Sequence, residues 1–201
     1  MHKLVTGSLA ALVFCGTLVG QASATPAESG ADTVRVLIVY HTMTGNTRTL
    51  AEAVAEGARR VPGAAVTVKS VDDAVNEDLE ACDALLIGSP TYWGSIATPV
   101  KQFIDGQRPF MGDKVGGAFA TGGSDGGGKE LTVLALLTAM LNNGMIVAGP
   151  HYEEDGIRFG GFGVAATTGT DDPGLDEAEL SRARLLGERV ATVAKRYRGS
   201  K

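Results

Sequence analysis

The chain has 201 residues, of which 44% are hydrophobic and 20% are charged, and its formal net charge is -5. This length and composition predict one soluble globular domain of ordinary size and exclude a disordered chain. The negative charge and the lack of a basic run argue against nucleic acid as a partner, because a phosphate backbone requires a basic patch.

The N-terminus has the pattern of a secretory signal peptide. Met1 to Lys3 is a weakly basic start, Leu4 to Val19 is an apolar run, and Ala22-Ser23-Ala24 is a small-residue cleavage site. We therefore expect an exported protein, periplasmic or secreted. An uncleaved membrane anchor is the alternative, which the shortness of the apolar run disfavours. The predicted divisions are a signal peptide at 1–24, a linker at 25–33 and the folded domain at 34–201.

The first strand and the loop after it predict an anion site. Val34 to Val39 is a β-branched apolar run, typical of a strand buried on both faces of a parallel sheet. A loop with three threonines and a glycine follows, and then a helical pattern at 49–60. Free N–H groups at a helix start, together with hydroxyl groups, favour a phosphate. The loop lacks a Walker lysine, so we expect a monophosphate ester; the alternative is that Asn46 or Thr47 only caps the helix.

The rest of the chain alternates predicted strands and helices. Short connections between them predict a doubly wound parallel α/β sheet of five strands, with helices on both faces. Cys82, at the edge of the third strand, is predicted to pack in the core. Further strands are expected at 64–71, 83–89, 114–120 and 145–148, further helices at 98–105, 130–141 and 175–197, a short helical or irregular segment at 72–81, and an insertion at 151–169.

Two further loops point to a ligand. Pro90 to Ser95 is rich in turn residues and holds the single tryptophan, and Thr121 to Gly128 is rich in glycine. Loops at the carboxyl ends of the strands meet at one edge of such a sheet, so we expect the three loops to converge. A phosphate cradle, an aromatic side chain that can stack on a planar ring and closely approaching glycines indicate flavin mononucleotide, FMN. The alternatives are a core or interface role for Trp93 and a flexible glycine turn.

The order of the motifs TMTGNT, GSPTYWGS and ATGGSDGGGKE, followed by NNGMIV and ELSRARLLGERVA, resembles the flavodoxin-like NAD(P)H:quinone oxidoreductases of the WrbA type. The resemblance covers nearly everything after the signal. It implies a flavodoxin-like strand order of 2-1-3-4-5, FMN as the cofactor, and homodimers or homotetramers. The residues that it assigns to the cofactor are Thr42, Met43, Thr44, Gly45, Asn46, Thr47, Pro90, Thr91, Tyr92, Trp93, Gly94, Thr121, Gly122, Gly123, Ser124, Asp125, Gly126, Gly127 and Asn142.

The same resemblance implies an FMN-dependent oxidoreductase. NAD(P)H, or another donor, would deliver a hydride to flavin N5, and the reduced flavin would reduce a quinone. This chemistry belongs to the cofactor, so no catalytic side chain is assigned. No metal site is predicted either, because the acidic pairs such as Asp171-Asp172 lack calcium-loop spacing.

Two other functions stay open from the sequence. The first is a flavodoxin-like electron carrier that serves a protein redox partner without substrate turnover, for which an acidic surface suits steering toward a basic partner. The second is an exported relative that no longer binds flavin. The phosphate loop argues against the second.

Overall fold

The computed structural model describes residues 33–107, 109–154, 157–169 and 171–200. The predicted signal peptide and all but the last residue of the predicted linker lie outside these residues. The strands are β1 (Val34–Tyr40), β2 (Ala64–Ser70), β3 (Ala84–Tyr92), β4 (Ser95–Ile96), β5 (Val115–Gly122), β6 (Ile146–Val147), β7 (His151–Glu154), β8 (Ile157–Gly160) and β9 (Val164–Thr167). The helices are α1 (Asn46–Arg59), α2 (Asn76–Ala81), α3 (Thr98–Gly106), α4 (Lys129–Asn142) and α5 (Glu177–Arg198).

The main sheet confirms the predicted flavodoxin-like fold. Its strands follow the order β2-β1-β3-β5-β6, which is the predicted 2-1-3-4-5 once β4 is set aside as a short antiparallel partner of β3. The pairs β1–β2, β1–β3, β3–β5 and β5–β6 are all parallel. The carboxyl ends of the central strands therefore lie along one edge, where the three predicted loops begin.

The outermost position of the sheet differs from the prediction. The expected strand at 145–148 is only the two-residue β6, which pairs with the start of β5. The end of β5 pairs instead with β9, which lies inside the segment predicted as an insertion. Only the hairpin β7–β8 is inserted. The sequence pattern missed β9 because a strand of four residues is too short to display a period.

Helices cover the sheet on both sides. On one side α1 and α5 approach closely, since an added Cβ on Gly187 would lie 1.9 Å from the carbonyl oxygen of Val54. On the other side α2, α3 and α4 pack over a second cluster of buried residues that includes Cys82, as predicted. Burial raises the pKa of the Cys82 thiol to about 11, so this group is an inert core side chain.

Two features of the helices bear on function. Helix α1 begins at Asn46, three residues earlier than predicted, and so includes the last two residues of the phosphate loop in its first turn. Among the described residues, no helix combines the length and the apolar character that crossing a membrane requires.

Candidate functional site

The first loop presents an open helix start. Gly45 is the N-cap of α1 and has a φ of 103°, a left-handed conformation that favours glycine, and an added Cβ there would meet open space. No side chain caps the helix, and its first turn contains no acidic residue. Simple capping by Asn46 or Thr47 is therefore the wrong interpretation. The first N–H groups of α1 stay available to an anion, and the helix dipole favours one there.

Hydroxyl groups shape the loop around these donors. Thr42 Oγ1 accepts a hydrogen bond from the Gly45 N–H at 3.0 Å, and Thr44 Oγ1 accepts one from Asn46 Nδ2 at 3.1 Å. Thr47 is buried, and its Oγ1 lies 2.8 Å from Thr121 Oγ1 at the end of β5. The pair fixes the start of α1 against the central sheet, so the first and third loops are joined by a buried hydrogen bond.

The second loop, predicted only as rich in turn residues, is a β-hairpin. Thr91 and Tyr92 extend β3 and pair with Ile96 and Ser95. The two-residue turn between them is Trp93-Gly94, and both have positive φ, 53° and 72°. Positive φ at both central positions is what a type I′ turn requires, which explains the glycine and makes the tryptophan unusual.

The Trp93 ring is completely exposed, with a relative accessibility of 104%. A core role for this side chain is therefore wrong, whereas a ligand or interface role stays open. Tyr92 is partly exposed, and its partial burial raises the pKa of its phenol. Strained backbone beneath an exposed aromatic side chain is a feature that clusters at functional sites.

The third loop contacts the second. Gly128, the N-cap of α4, has a φ of 83°, and an added Cβ there would lie 2.9 Å from the Gly94 Cα. Asp125 accepts hydrogen bonds from Thr167 Oγ1 at 2.7 Å and from the buried Lys129 ammonium at 3.5 Å. These two bonds, the first above all, lower the pKa of Asp125. The glycine loop is thus held by β9 and by the start of α4.

The three loops converge as predicted on one pocket of about 260 Å³ at the carboxyl edge of the sheet. Thr168 and Asp172 also line it, and sequence reasoning missed both because they follow β9, the strand that the sequence pattern did not reveal. Asn46 Nδ2 donates a hydrogen bond to Asp172 Oδ1, so the loop already holds one anionic group. The other lining residues are Thr42, Met43, Thr44, Asn46, Thr47, Pro90, Thr91, Tyr92, Thr121, Gly122 and Gly123.

Some predicted residues lie beside the pocket or away from it. Gly45 forms the N-cap of α1 and does not line the pocket. The pocket is also not lined by Trp93, Gly94, Ser124, Asp125, Gly126 or Gly127, which belong to the second and third loops beside it. Asn142 is the last residue of α4 and lines a separate groove of about 560 Å³ between α3 and α4. Within one chain, therefore, Asn142 is not brought together with the three loops.

Apart from the Asp172 carboxylate, the polar side chains that line the pocket are neutral. Thr42, Thr44 and Asn46 offer side-chain donors, and the start of α1 offers backbone N–H groups. Among the described residues, no group of three or more histidine, cysteine or acidic side chains is placed to hold a metal ion. The donor set fits a phosphate ester.

Comparison with known proteins gives relatives named as flavodoxins and as NAD(P)H dehydrogenases (quinone). The family model described as a flavodoxin domain matches residues 37–131. An NAD(P)H dehydrogenase (quinone) from Archaeoglobus fulgidus is 35% identical over 193 residues, covering 81% of this chain and 98% of the relative. A flavodoxin from Aquifex aeolicus is 38% identical over 164 residues, covering 78% of this chain and 85% of the relative.

A solved structure agrees with these relatives. The flavodoxin, WrbA-like protein from Agrobacterium tumefaciens superposes with a TM-score of 0.64 at 29% identity. The match covers 82% of this chain and 99% of that one.

Proposed function

Because the chain belongs to the flavodoxin-like family that includes the NAD(P)H dehydrogenases (quinone), we propose that it is an FMN-dependent oxidoreductase that passes two electrons from NAD(P)H to a quinone. The observation that carries the proposal is the convergence of three loops around an uncapped helix start. This helix start offers N–H groups to an anion, which supports the binding of a flavin phosphate there.

The phosphate would be held by the first loop. The N–H groups at the start of α1 and the side chains of Thr42, Thr44 and Asn46 surround the same part of the pocket. No acidic residue in the first turn of α1 opposes an anion. Asp172 does oppose one, and phosphate binding would have to displace its carboxylate from Asn46.

The flavin ring would lie against the second and third loops. The pocket of about 260 Å³ is smaller than the roughly 300–1,000 Å³ of sites that bury a whole ligand, so the ring would stay partly exposed. Tyr92 and Trp93 offer aromatic surface beside it. When bound, the flavin supplies the chemistry by accepting a hydride at N5 and passing electrons to a quinone. The protein's part is to hold the ring and leave one face open.

The proposal also covers the localisation and the oligomeric state of the protein. The signal-like sequence at 1–24 supports export to the periplasm or the medium. The resemblance to the WrbA type and the exposed apolar face of α4, with Leu131 and Leu141, support a homodimer or homotetramer.

The first test is a titration of the protein with FMN, followed by flavin and tryptophan fluorescence. Thr44→Val removes one exposed hydroxyl of the first loop, and Thr67→Val makes the same change on β2, far from the pocket. Loss of one hydrogen bond to a charged group should weaken FMN binding about 10-fold in Thr44→Val, and the control should bind as the wild type does. Folded wild type that binds no FMN would contradict the proposal. Reduction of a quinone by NADH or NADPH is then measured with the FMN-loaded protein.

A second candidate is an FMN electron carrier for a protein redox partner. Acidic side chains near the pocket, among them Asp125, Asp172 and Glu179, and the similarity to a flavodoxin favour it. A stable one-electron reduced form of the loaded protein on stepwise reduction would favour the carrier. Direct two-electron reduction together with quinone turnover would favour the enzyme.

A further inference from the structure

We propose that the end of the domain opposite the pocket is a docking surface for a bilayer that carries anionic phospholipid. We call this surface the basic end and define it by five residues at the C-terminal ends of two helices. They are Arg59 and Arg60 at the end of α1 and Lys195, Arg196 and Arg198 at the end of α5. The proposal goes beyond the oxidoreductase function and does not depend on it.

The fold brings these cations together from distant parts of the chain. Helices α1 and α5 lie side by side, and Lys195 Nζ donates a hydrogen bond at 2.7 Å to the carbonyl of Pro62, just after α1. Arg60 and Lys195 line one shallow depression of about 540 Å³. More than 130 residues separate the two groups in the sequence, which is why no basic run is visible there.

Part of this charge is offset locally. The pKa of the Glu56 carboxyl is lowered chiefly by its hydrogen bond from Arg184 and further by the charges of Arg60 and Arg59. Arg198 pairs with Asp83 at 2.9 Å, and Arg60 pairs loosely with Glu188 at 3.7 Å. Within the described part of the chain, no carboxylate lies within 4.0 Å of the charged groups of Arg59, Lys195 or Arg196.

The charge is distributed unevenly between the two ends of the sheet. The opposite end carries acidic side chains near the pocket, such as Asp125, Asp172 and Asp176. An anionic surface would attract the basic end and repel the pocket end, so the domain would dock in one orientation. A nucleic acid is anionic too, so the choice of a bilayer comes from the start of the folded chain.

The start of the folded chain supports a membrane as the occupant. The N–H of Val34, the first residue of β1, donates a hydrogen bond at 3.0 Å to the carbonyl of Gly63, beside the residue that Lys195 contacts. The chain therefore enters the folded domain on the side of the basic end, and the apolar run from Leu4 to Val19 lies earlier in the sequence. A membrane that receives this run is therefore the occupant that we propose for the basic end.

This orientation would keep the pocket away from the bilayer. The seven residues of β1 span about 23 Å at roughly 3.3 Å per residue, and they separate the basic end from the phosphate loop. Donors and acceptors from the aqueous phase would then reach the pocket freely.

The experiment measures binding of the full chain to vesicles of phosphatidylcholine with and without 30% phosphatidylglycerol, at low and high salt. Binding to pure phosphatidylcholine measures the contribution of the N-terminal apolar run. The additional binding to vesicles with phosphatidylglycerol measures the contribution of charge. The triple variant Arg59→Gln, Lys195→Gln, Arg196→Gln neutralises three cations. Each should contribute roughly fivefold to the affinity for anionic lipid, so the variant should bind vesicles with phosphatidylglycerol about 100-fold more weakly. The matched control, Lys101→Gln, Arg158→Gln, Arg182→Gln, changes the net charge equally elsewhere and should keep that binding.

The single tryptophan reports the orientation. Trp93 is completely exposed at the pocket end, so brominated lipids should not quench its fluorescence in the bound protein, whereas acrylamide in solution should. Quenching by brominated lipid would overturn the proposal. So would equal binding to the two kinds of vesicle, equal losses in the two triple variants, or binding to a DNA duplex without binding to vesicles.

Discussion

The two faces of the sheet differ in how completely one chain covers them. On the α1–α5 face, the helices touch through glycines, and their outer sides carry charged pairs such as Arg184 and Glu56 at 2.8 Å. On the opposite face, α4 exposes Leu131 and Leu141, and a groove of about 560 Å³ separates it from α3. The first face is finished within the monomer, whereas the second presents apolar surface of the kind that marks an interaction site.

The largest expected effect comes from forcing α1 and α5 apart. We call the side of the sheet that they cover the closed face. Replacing a helical glycine by alanine ordinarily stabilises a helix by about 1 kcal/mol. In Gly187→Ala, however, the new Cβ would lie 1.9 Å from the Val54 carbonyl oxygen, and the backbone of α1 cannot rotate away. We expect a loss of about 3 kcal/mol or more in the free energy of unfolding, measured by urea denaturation.

The matched control lies on the opposite side of the sheet, which α2, α3 and α4 cover and which we call the open face. Gly106, the last residue of α3, has no atom within 4 Å of the position of an added Cβ. Gly106→Ala should therefore leave the free energy of unfolding unchanged or raise it slightly. Equal losses in the two variants would contradict the contrast between the faces.

The sequence predicted the parts of the fold that repeat a local period. Buried strands such as Val34–Tyr40 are continuous apolar runs, and long helices such as α5 show an amphipathic pattern, so both were found within a few residues. Strand β9 was missed because its place in the sheet depends on β5, about 45 residues away, and not on its own pattern.

The site followed the same rule. The three loops could be predicted to converge, because the carboxyl ends of parallel strands share an edge. The early start of α1 could not, because the conformation of Gly45 and not a capping side chain sets it. The place of Asp172 in the pocket could not be predicted either, since its hydrogen-bond partner Asn46 is 126 positions away in the sequence.

The second prediction concerns the reactivity of a buried thiol beneath the open face. Cys82 belongs to the buried cluster on that side, and burial raises the pKa of its thiol from an ordinary 9.0 to about 11. At pH 8 the thiolate fraction should then be about 100-fold lower in the folded protein than in the unfolded one. Iodoacetamide labelling at pH 8, followed by peptide mapping to separate Cys82 from Cys15, should show at least this difference in rate.

The pH dependence of the same group has a definite sign. Because the folded protein favours the neutral thiol, the contribution of Cys82 to stability is fully present below pH 9.0 and is lost as the pH rises toward 11. Rapid labelling of native Cys82 at pH 8 would contradict its burial in the core.

The smallest effect on folding is expected at the outer surface of α4. Leu131→Gln, Leu141→Gln removes two exposed apolar side chains and keeps good helix formers, so the free energy of unfolding of the monomer should change by less than about 0.5 kcal/mol. The buried neighbour Leu136 gives the contrast, because Leu136→Ala should cost about 2–5 kcal/mol. If the open face joins two copies of the chain, sedimentation should show the double variant as a monomer at concentrations where the wild type is a dimer. If both sediment alike, the leucines of α4 do not form the subunit contact.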